Sequence, residues 1–180
     1  PETAPVAVWL FSVANLSILS PAMLARGQKG AINFHDGPLP KLAGLNAPVW
    51  AIIGGEPQHG ISWHMIEGGV DEGDILTQRL FEIRPDDTAL TLNARCFARG
   101  AESFADVVTQ LEAGGPQRVK QDLSLRSYVG KDKRPEAASV LDFSRSVAEI
   151  GALVRGLDHG SYWNPLAAPK VVLGDRVLTV

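Results

Sequence analysis

Short apolar runs separated by turn signals constrain this chain more than any other feature. Val6–Val13 is apolar, β-branched or aromatic except at Ser12, and Gly30–Phe34 (Gly-Ala-Ile-Asn-Phe) is a second such run. Runs of this kind are what strands covered on both faces of a sheet look like. Between them, Pro21 suits the first turn of a helix, so Pro21–Arg26 reads as a short helix closed by Gly27. Ala47–Gly54 reads as a helix, and Gly60–Ile66 and Ile75–Ile83 as strands. Thr88 can cap a long helix over Ala89–Leu111, which Gly114-Gly115-Pro116 stops. Strands alternating with helices predict an α/β fold built on an open, mostly parallel sheet. After Pro116 the chain turns polar and irregular. A helix is expected over Ser144–Leu157, and Gly174–Asp175 signals a hairpin turn between Val171–Leu173 and Arg176–Val180. The predicted organisation is a core over residues 1–120, then a small mixed segment over 121–180 that is linker and the start of a further subdomain.

Composition excludes several classes. Of 180 residues, 45% are hydrophobic and 21% charged, the balance of a soluble globular protein. The net charge of −3 supplies no basic field to gather nucleic acid, and the densest basic stretch, Lys131, Lys133 and Arg134, reads as a solvated loop. No apolar run approaches the length of a membrane span, and Pro1–Pro5 lacks the basic start of a signal peptide. The single cysteine, Cys96, cannot form an internal disulfide and reads as a packed helix residue, so a reducing, cytoplasmic setting is expected. His59 and His64 lie five apart without a Cys or acid at ligand spacing, so no metal site is expected.

In open α/β sheets, ligands bind beyond the carboxyl ends of the strands. Asn33 and His35 stand at such an end and flank Phe34, so their side chains leave the same face. Two polar groups pointing one way are a candidate reacting pair, although Asn and His at a strand end are more often satisfied by loop backbone. Asp71 sits in Gly68-Gly69-Val70-Asp71-Glu72-Gly73-Asp74, where glycines let the backbone fold tightly against a ligand. The plain alternative is an acidic turn with solvated carboxylates. His64 alternates with Trp63, so one faces the core and the other faces solvent or a pocket.

Ile32-Asn33-Phe34-His35-Asp36-Gly37-Pro38-Leu39-Pro40, then Gly44 and Ala47–Pro48, resembles the signature of the folate-dependent formyltransferase superfamily. That signature is Asn-x-His, a loop ending Leu-Pro, and a Gly a few residues later. Gly60-Ile61-Ser62-Trp63-His64 and Val70-Asp71-Glu72-Gly73-Asp74-Ile75-Leu76 resemble its second block. Ser127–Lys133 and Leu141-Asp142-Phe143-Ser144 are similar to the region after the catalytic domain in methionyl-tRNA formyltransferases.

The resemblance implies a Rossmann-like formyltransferase core, with 10-formyltetrahydrofolate as formyl donor and an amine as acceptor. It places the catalytic Asn, His and Asp on Asn33, His35 and Asp71. Asn33 would donate to the formyl oxygen as negative charge builds there. His35 would take or give the transferred proton, or arrive protonated to help that oxygen, and Asp71 would hold His35 or a water. The donor pocket would use Leu10, Phe11, Val13, Ala14, Asn15 and Leu16 on one side, and backbone near Gly68, Gly69 and Val70 on the other. The loop Asp36-Gly37-Pro38, with Asn46 after Gly44–Leu45, is most similar to formyltransferase domains of multidomain peptide synthetases. That implies an aminoacyl acceptor on a carrier protein. The family's catalytic domain opens with βα units before the strand matching Val6–Val13; the resemblance therefore implies missing amino-terminal units, and a partner or a second copy covering the front. Three alternatives stay open: a hydrolase of the same donor, a methionyl-tRNA formyltransferase, and a catalytically silent formyltransferase-like binding domain.

Overall fold

A computed structural model describes residues 5–180; residues 1–4, and with them most of the Pro1–Pro5 reading, lie outside the described part. The elements in chain order are β1 (Leu10–Ser12), α1 (Pro21–Leu24), β2 (Ala31–His35), β3 (Ala43–Gly44), α2 (Ala47–Ile53), β4 (Gln58–Met65), β5 (Ile75–Glu82) and α3 (Ala89–Glu112). Then come β6 (Tyr128–Val129), α4 (Val147–Gly156), β7 (Lys170–Leu173) and β8 (Arg176–Thr179).

The central sheet has the order β1-β2-β4-β5. The α/β architecture is the expected one. Its parallel part is the β1–β2 pair, where Ser12 stands opposite Asn33. β2 runs antiparallel to β4, with Asn33 opposite His64 and His35 opposite Ser62, and β4 runs antiparallel to β5. Connection length explains part of this pattern. The stretch between β1 and β2 holds α1 and is long enough for a parallel crossover; the loop between Met65 and Ile75 is not.

The first apolar run departs from expectation. Only Leu10–Ser12 pairs with β2, while Ala7 makes an isolated bridge to Gly27. Val6, Val8 and Val13 are exposed, so this run is not covered on both faces among the described residues. β1 is therefore a sheet edge whose pairing groups face outward.

The core forms where α3 lies on β2, β4 and β5. Ile32, Phe34, Ile61, Trp63, Met65, Leu76, Cys96 and Val107 make one buried cluster. Gly100 lets α3 approach closely: a Cβ there would lie 2.4 Å from the Phe34 ring. Thr88 and Thr91 cap α3 reciprocally, which satisfies donors that its first turn leaves open. Trp63 packs against Phe11, Phe34 and Phe104, and its ring N–H donates to Ser103 Oγ at 3.0 Å. α2 is almost wholly buried, and α4 with Leu157 covers it through Val49, Ile53 and Leu153. α3 ends at Gly114 and Gly115, both at positive φ, where an added Cβ would meet nothing within 4 Å. No helix among the described residues is long and apolar enough to cross a membrane.

Candidate active site

β2 delivers Asn33 and His35 to one face at its carboxyl end, and β4 places His64 directly opposite Asn33. The two side chains meet across the pair, Asn33 Nδ2 to His64 Nε2 at 3.2 Å. His64 is only 2% exposed, and its Nδ1 donates to the Met65 carbonyl at 2.8 Å. A neutral His64 ring then leaves Nε2 to accept from the Asn33 amide. A protonated ring turns an N–H toward Asp71 Oδ1, 3.3 Å away.

His35 is 4% exposed. Its Nε2 meets the Leu42 carbonyl at 2.9 Å, which fixes a proton on that nitrogen. Nδ1 faces Asp71 Oδ2 at 3.6 Å and Asp36 Oδ1 at 3.9 Å. Gly37 gives the ring its room, since a Cβ there would stand 2.6 Å from Nε2.

Asp71 closes the constellation from the loop after β4, with a φ of +56°. Left-handed backbone at a non-glycine residue costs roughly 1 kcal/mol or more, so its surroundings must impose it. Asp71 Oδ2 accepts the Gly44 N–H at 2.8 Å. Burial alone would push its carboxyl up; the hydrogen bond from His64, the charge of His35 and the Gly44 N–H outweigh that and hold it below the usual carboxylate range. Burial raises Asp36 instead, against the charge of His35. One carboxylate thus serves two imidazoles, with an amide beside it. The three residues named from sequence are brought together; His64, which sequence left open between the core and the solvent or pocket side, joins them. Its position opposite Asn33 in an antiparallel pair was the missing signal.

The loop from Asp36 to Pro40 is pinned from beneath. Ser62 Oγ donates to the Gly37 carbonyl at 2.9 Å and accepts from Leu39 N at 3.1 Å. Gln78 Nε2 donates to Leu39 O at 2.8 Å and Ser62 Oγ at 3.0 Å. His59, fully buried, donates from Nε2 to Asp36 O at 2.8 Å, and its Nδ1 has no partner. Burial pushes the His59 imidazole down to about 4 from the ordinary 6.5. Its folded-state value lies below the unfolded one, so the unfolded chain takes the proton first. Stability from this site is complete above about pH 6.5 and is lost as pH falls toward about 4. Over that window the loss is about 3 kcal/mol. Urea midpoints of the wild type should therefore fall more steeply across it than those of His59→Gln; parallel curves would show that His59 does not carry the effect.

The residues expected around the donor divide into groups. Val13 and Leu16 are 49% and 85% exposed just beyond the end of β1, next to Asn33 in the parallel pair. Leu10 is half-buried in β1, and Ala14 turns the chain at a φ of +52°. Phe11 is different: its ring packs edge-on against Trp63 and Phe104 in the core, which leaves it only backbone to offer. Asn15 turns its amide onto Ser17. On the other side, Gly68 has a φ of +69°, Gly69 N–H donates to Glu72, and Val70 O accepts from Arg126. An exposed apolar strip beside Asn33 suits a flat, apolar-faced ligand; two of the backbone groups expected to bind it are already engaged. No group of three or more His, Cys, Asp or Glu among the described residues is arranged to hold a metal ion.

The "Formyl transferase" family model matches residues 6–108, more than half of the chain. Methionyl-tRNA formyltransferase of Geobacter metallireducens is 33% identical over 144 residues, covering 80% of this chain and 46% of that protein. The chain thus spans about half the length of the curated relatives it matches. Among solved structures, the N-formyltransferase from Helicobacter canadensis in complex with folinic acid and dTDP-3-aminofucose is 26% identical. It has a TM-score of 0.65 and covers 69% of this chain and 46% of that one. A 4-N formyltransferase from Francisella tularensis shares the fold at a TM-score of 0.79 and 20% identity, covering 96% of this chain and 69% of its own.

Proposed function

Because the chain belongs to the formyl transferase family, we propose that it carries the catalytic centre for moving a formyl group from 10-formyltetrahydrofolate to an amine. The observation that supports this most is the Asp71 carboxylate shared between His35 and His64 with the Asn33 amide alongside. The donor supplies the activated formyl carbon. Val13, Leu16 and the backbone beyond β1 are offered as its apolar wall. A folate ligand named with the Helicobacter structure supports that choice of donor.

In the reaction, a bond forms between the acceptor nitrogen and the formyl carbon, and the bond from that carbon to the donor nitrogen breaks. The acceptor nitrogen loses a proton and the donor nitrogen gains one. Asn33 offers its amide N–H to the oxygen that gathers charge. His35 has its Nε2 proton fixed by Leu42, so Nδ1 is the atom that takes the proton, and Asp71 stands against that atom to steady the charge it acquires.

The acceptor is the finer part of the proposal. The likeness of the Asp36-Gly37-Pro38 loop to peptide-synthetase domains supports an aminoacyl group on a carrier protein. The relatives named above include enzymes directed to tRNA and to a nucleotide-linked amino sugar. A partner or second copy over exposed Val6 and Val8 belongs to the same proposal.

The test is to supply the chain with 10-formyltetrahydrofolate and each class of amine, and to follow formylated product by mass spectrometry. Product with one class identifies the acceptor. Free formate without any amine would point to hydrolysis, and no turnover with a folded chain would reject the proposal. Asn33→Ala should lower the rate by roughly 10²–10³. A smaller loss would remove Asn33 from the charge-stabilising role.

A further inference from the structure

The segment after α3 wraps the loop that carries Asp71. Val119 and Ile75 exchange backbone hydrogen bonds, both at 2.8 Å, at the loop's end. Arg118 bonds Asp74 at 2.9 Å and also pairs with Glu67, so it ties the two shoulders of the loop together. Gln121 Nε2 donates to the Asp71 carbonyl at 2.9 Å and the Gly73 carbonyl at 2.6 Å. Arg126 Nη2 donates to Val70 O at 3.0 Å and pairs with Glu72, and its guanidinium lies over the Tyr128 ring.

The same segment reaches the other side of the site. β6 pairs with β3, with Leu45 N–H on Val129 O at 3.0 Å and Ala43 N–H on Ser127 O at 2.9 Å. β3 is where Gly44 grips the Asp71 carboxylate and where the neighbouring Leu42 carbonyl holds His35. Contact there is tight: a Cβ on Gly44 would stand 2.1 Å from Val129 O. One strap therefore fixes the backbone under Asp71 and the strand that holds both the carboxylate and the imidazole.

Gln121 is the part of the strap nearest the chemistry. It is 6% exposed, and its Oε1 is buried without a hydrogen-bond partner. Leaving a buried acceptor unmet is unfavourable, and an apolar side chain of similar shape would avoid it. What only the amide supplies is the pair of donations into the Asp71 turn.

We propose that residues 118–129 act as a positioning strap for Asp71 and His35, with Gln121 the positioning residue that sets Asp71 against His35 and His64. This rests on the catalytic reading given above for Asp71, but its test does not need turnover. Gln121→Met keeps the length and volume of the side chain, adds no charge, and removes both donations. In the full chain, the Asp71 carboxyl is followed by carbon NMR through a pH titration and identified by its loss in Asp71→Asn.

The expected result is a folded Gln121→Met protein whose Asp71 carboxyl titrates measurably higher than in the wild type. Its formyl-transfer kcat should fall roughly tenfold to a hundredfold with little change in KM for the donor, as for a misplacement of about 1 Å. An unchanged Asp71 midpoint in a folded Gln121→Met protein would overturn the strap, whatever the activity. Should that variant not fold, Arg126→Met, on the more open part of the strap, is read the same way and by the same criterion. Absence of formyl transfer by the wild type would count against the catalytic reading alone, because the titration still decides whether the strap places Asp71.

Discussion

His35→Ala should cut formyl transfer by roughly 10²–10⁴-fold, the usual worth of a positioned acid–base group. The loss should fall on kcat, because His35 lies buried at the end of β2 and is not part of the exposed apolar strip offered to the donor. Its ring has one nitrogen fixed on the Leu42 carbonyl and the other turned to Asp71, so one nitrogen alone is left to exchange a proton. Alanine also leaves the Leu42 carbonyl without that donor, so melting temperature must be compared alongside. Single-turnover rates separate the chemical step from binding. A variant that folds and turns over within a few-fold of the wild type would end the assignment of His35 as the proton carrier.

Asp71→Asn should cost about 10³–10⁴-fold, on the scale seen when an orienting carboxylate beside a catalytic histidine is made an amide. The substitution is isosteric, but the hydrogen bonding is not. Asp71 presents oxygens in two directions: Oδ2 to the Gly44 N–H and His35, Oδ1 to His64. An asparagine must turn its NH2 toward one of them, setting donor against donor at Gly44 or giving up the carboxylate's hold on His64. The negative charge that would steady a protonated His35 is lost as well. Circular dichroism should show an intact fold, and transfer rates should show the defect; a rate near that of the wild type would mean that Asp71 only shapes its loop.

Much of this site could be read along the chain, and the unread parts have physical reasons. Asn33 and His35 share a strand, so a period of two was enough to put them on one face. Asp71 was legible only through the likeness of Val70-Asp71-Glu72-Gly73-Asp74-Ile75-Leu76 to the family's second block, since its glycines and acids alone read as a solvated turn. His64 did not, since its role depends on β4 running antiparallel to β2, and alternation of side chains carries no information about strand direction. Phe11 falls in the stretch that the resemblance offers to the donor, and sequence carries no sign that its ring turns to Trp63 and Phe104. Residues 118–129 looked irregular for a related reason. The side-chain bonds of Gln121 and Arg126 run to the backbone of a loop some fifty positions earlier, and such bonds leave no periodic trace. Nor does the first apolar run betray that Val6 and Val8 in its opening half stay exposed, because apolar sequence looks the same whether or not something covers it.

The pair of glycines that ends α3 divides the candidate centre in an unusual way. Asn33, His35, His64 and Asp71 all precede it, and the segment that braces the Asp71 loop and β3 follows it. At Gly114 and Gly115 nothing crowds the backbone within reach of a side chain. That joint is therefore the natural place to open the chain into two pieces that regain a working centre only on reassembly, the arrangement that a split reporter of protein association requires.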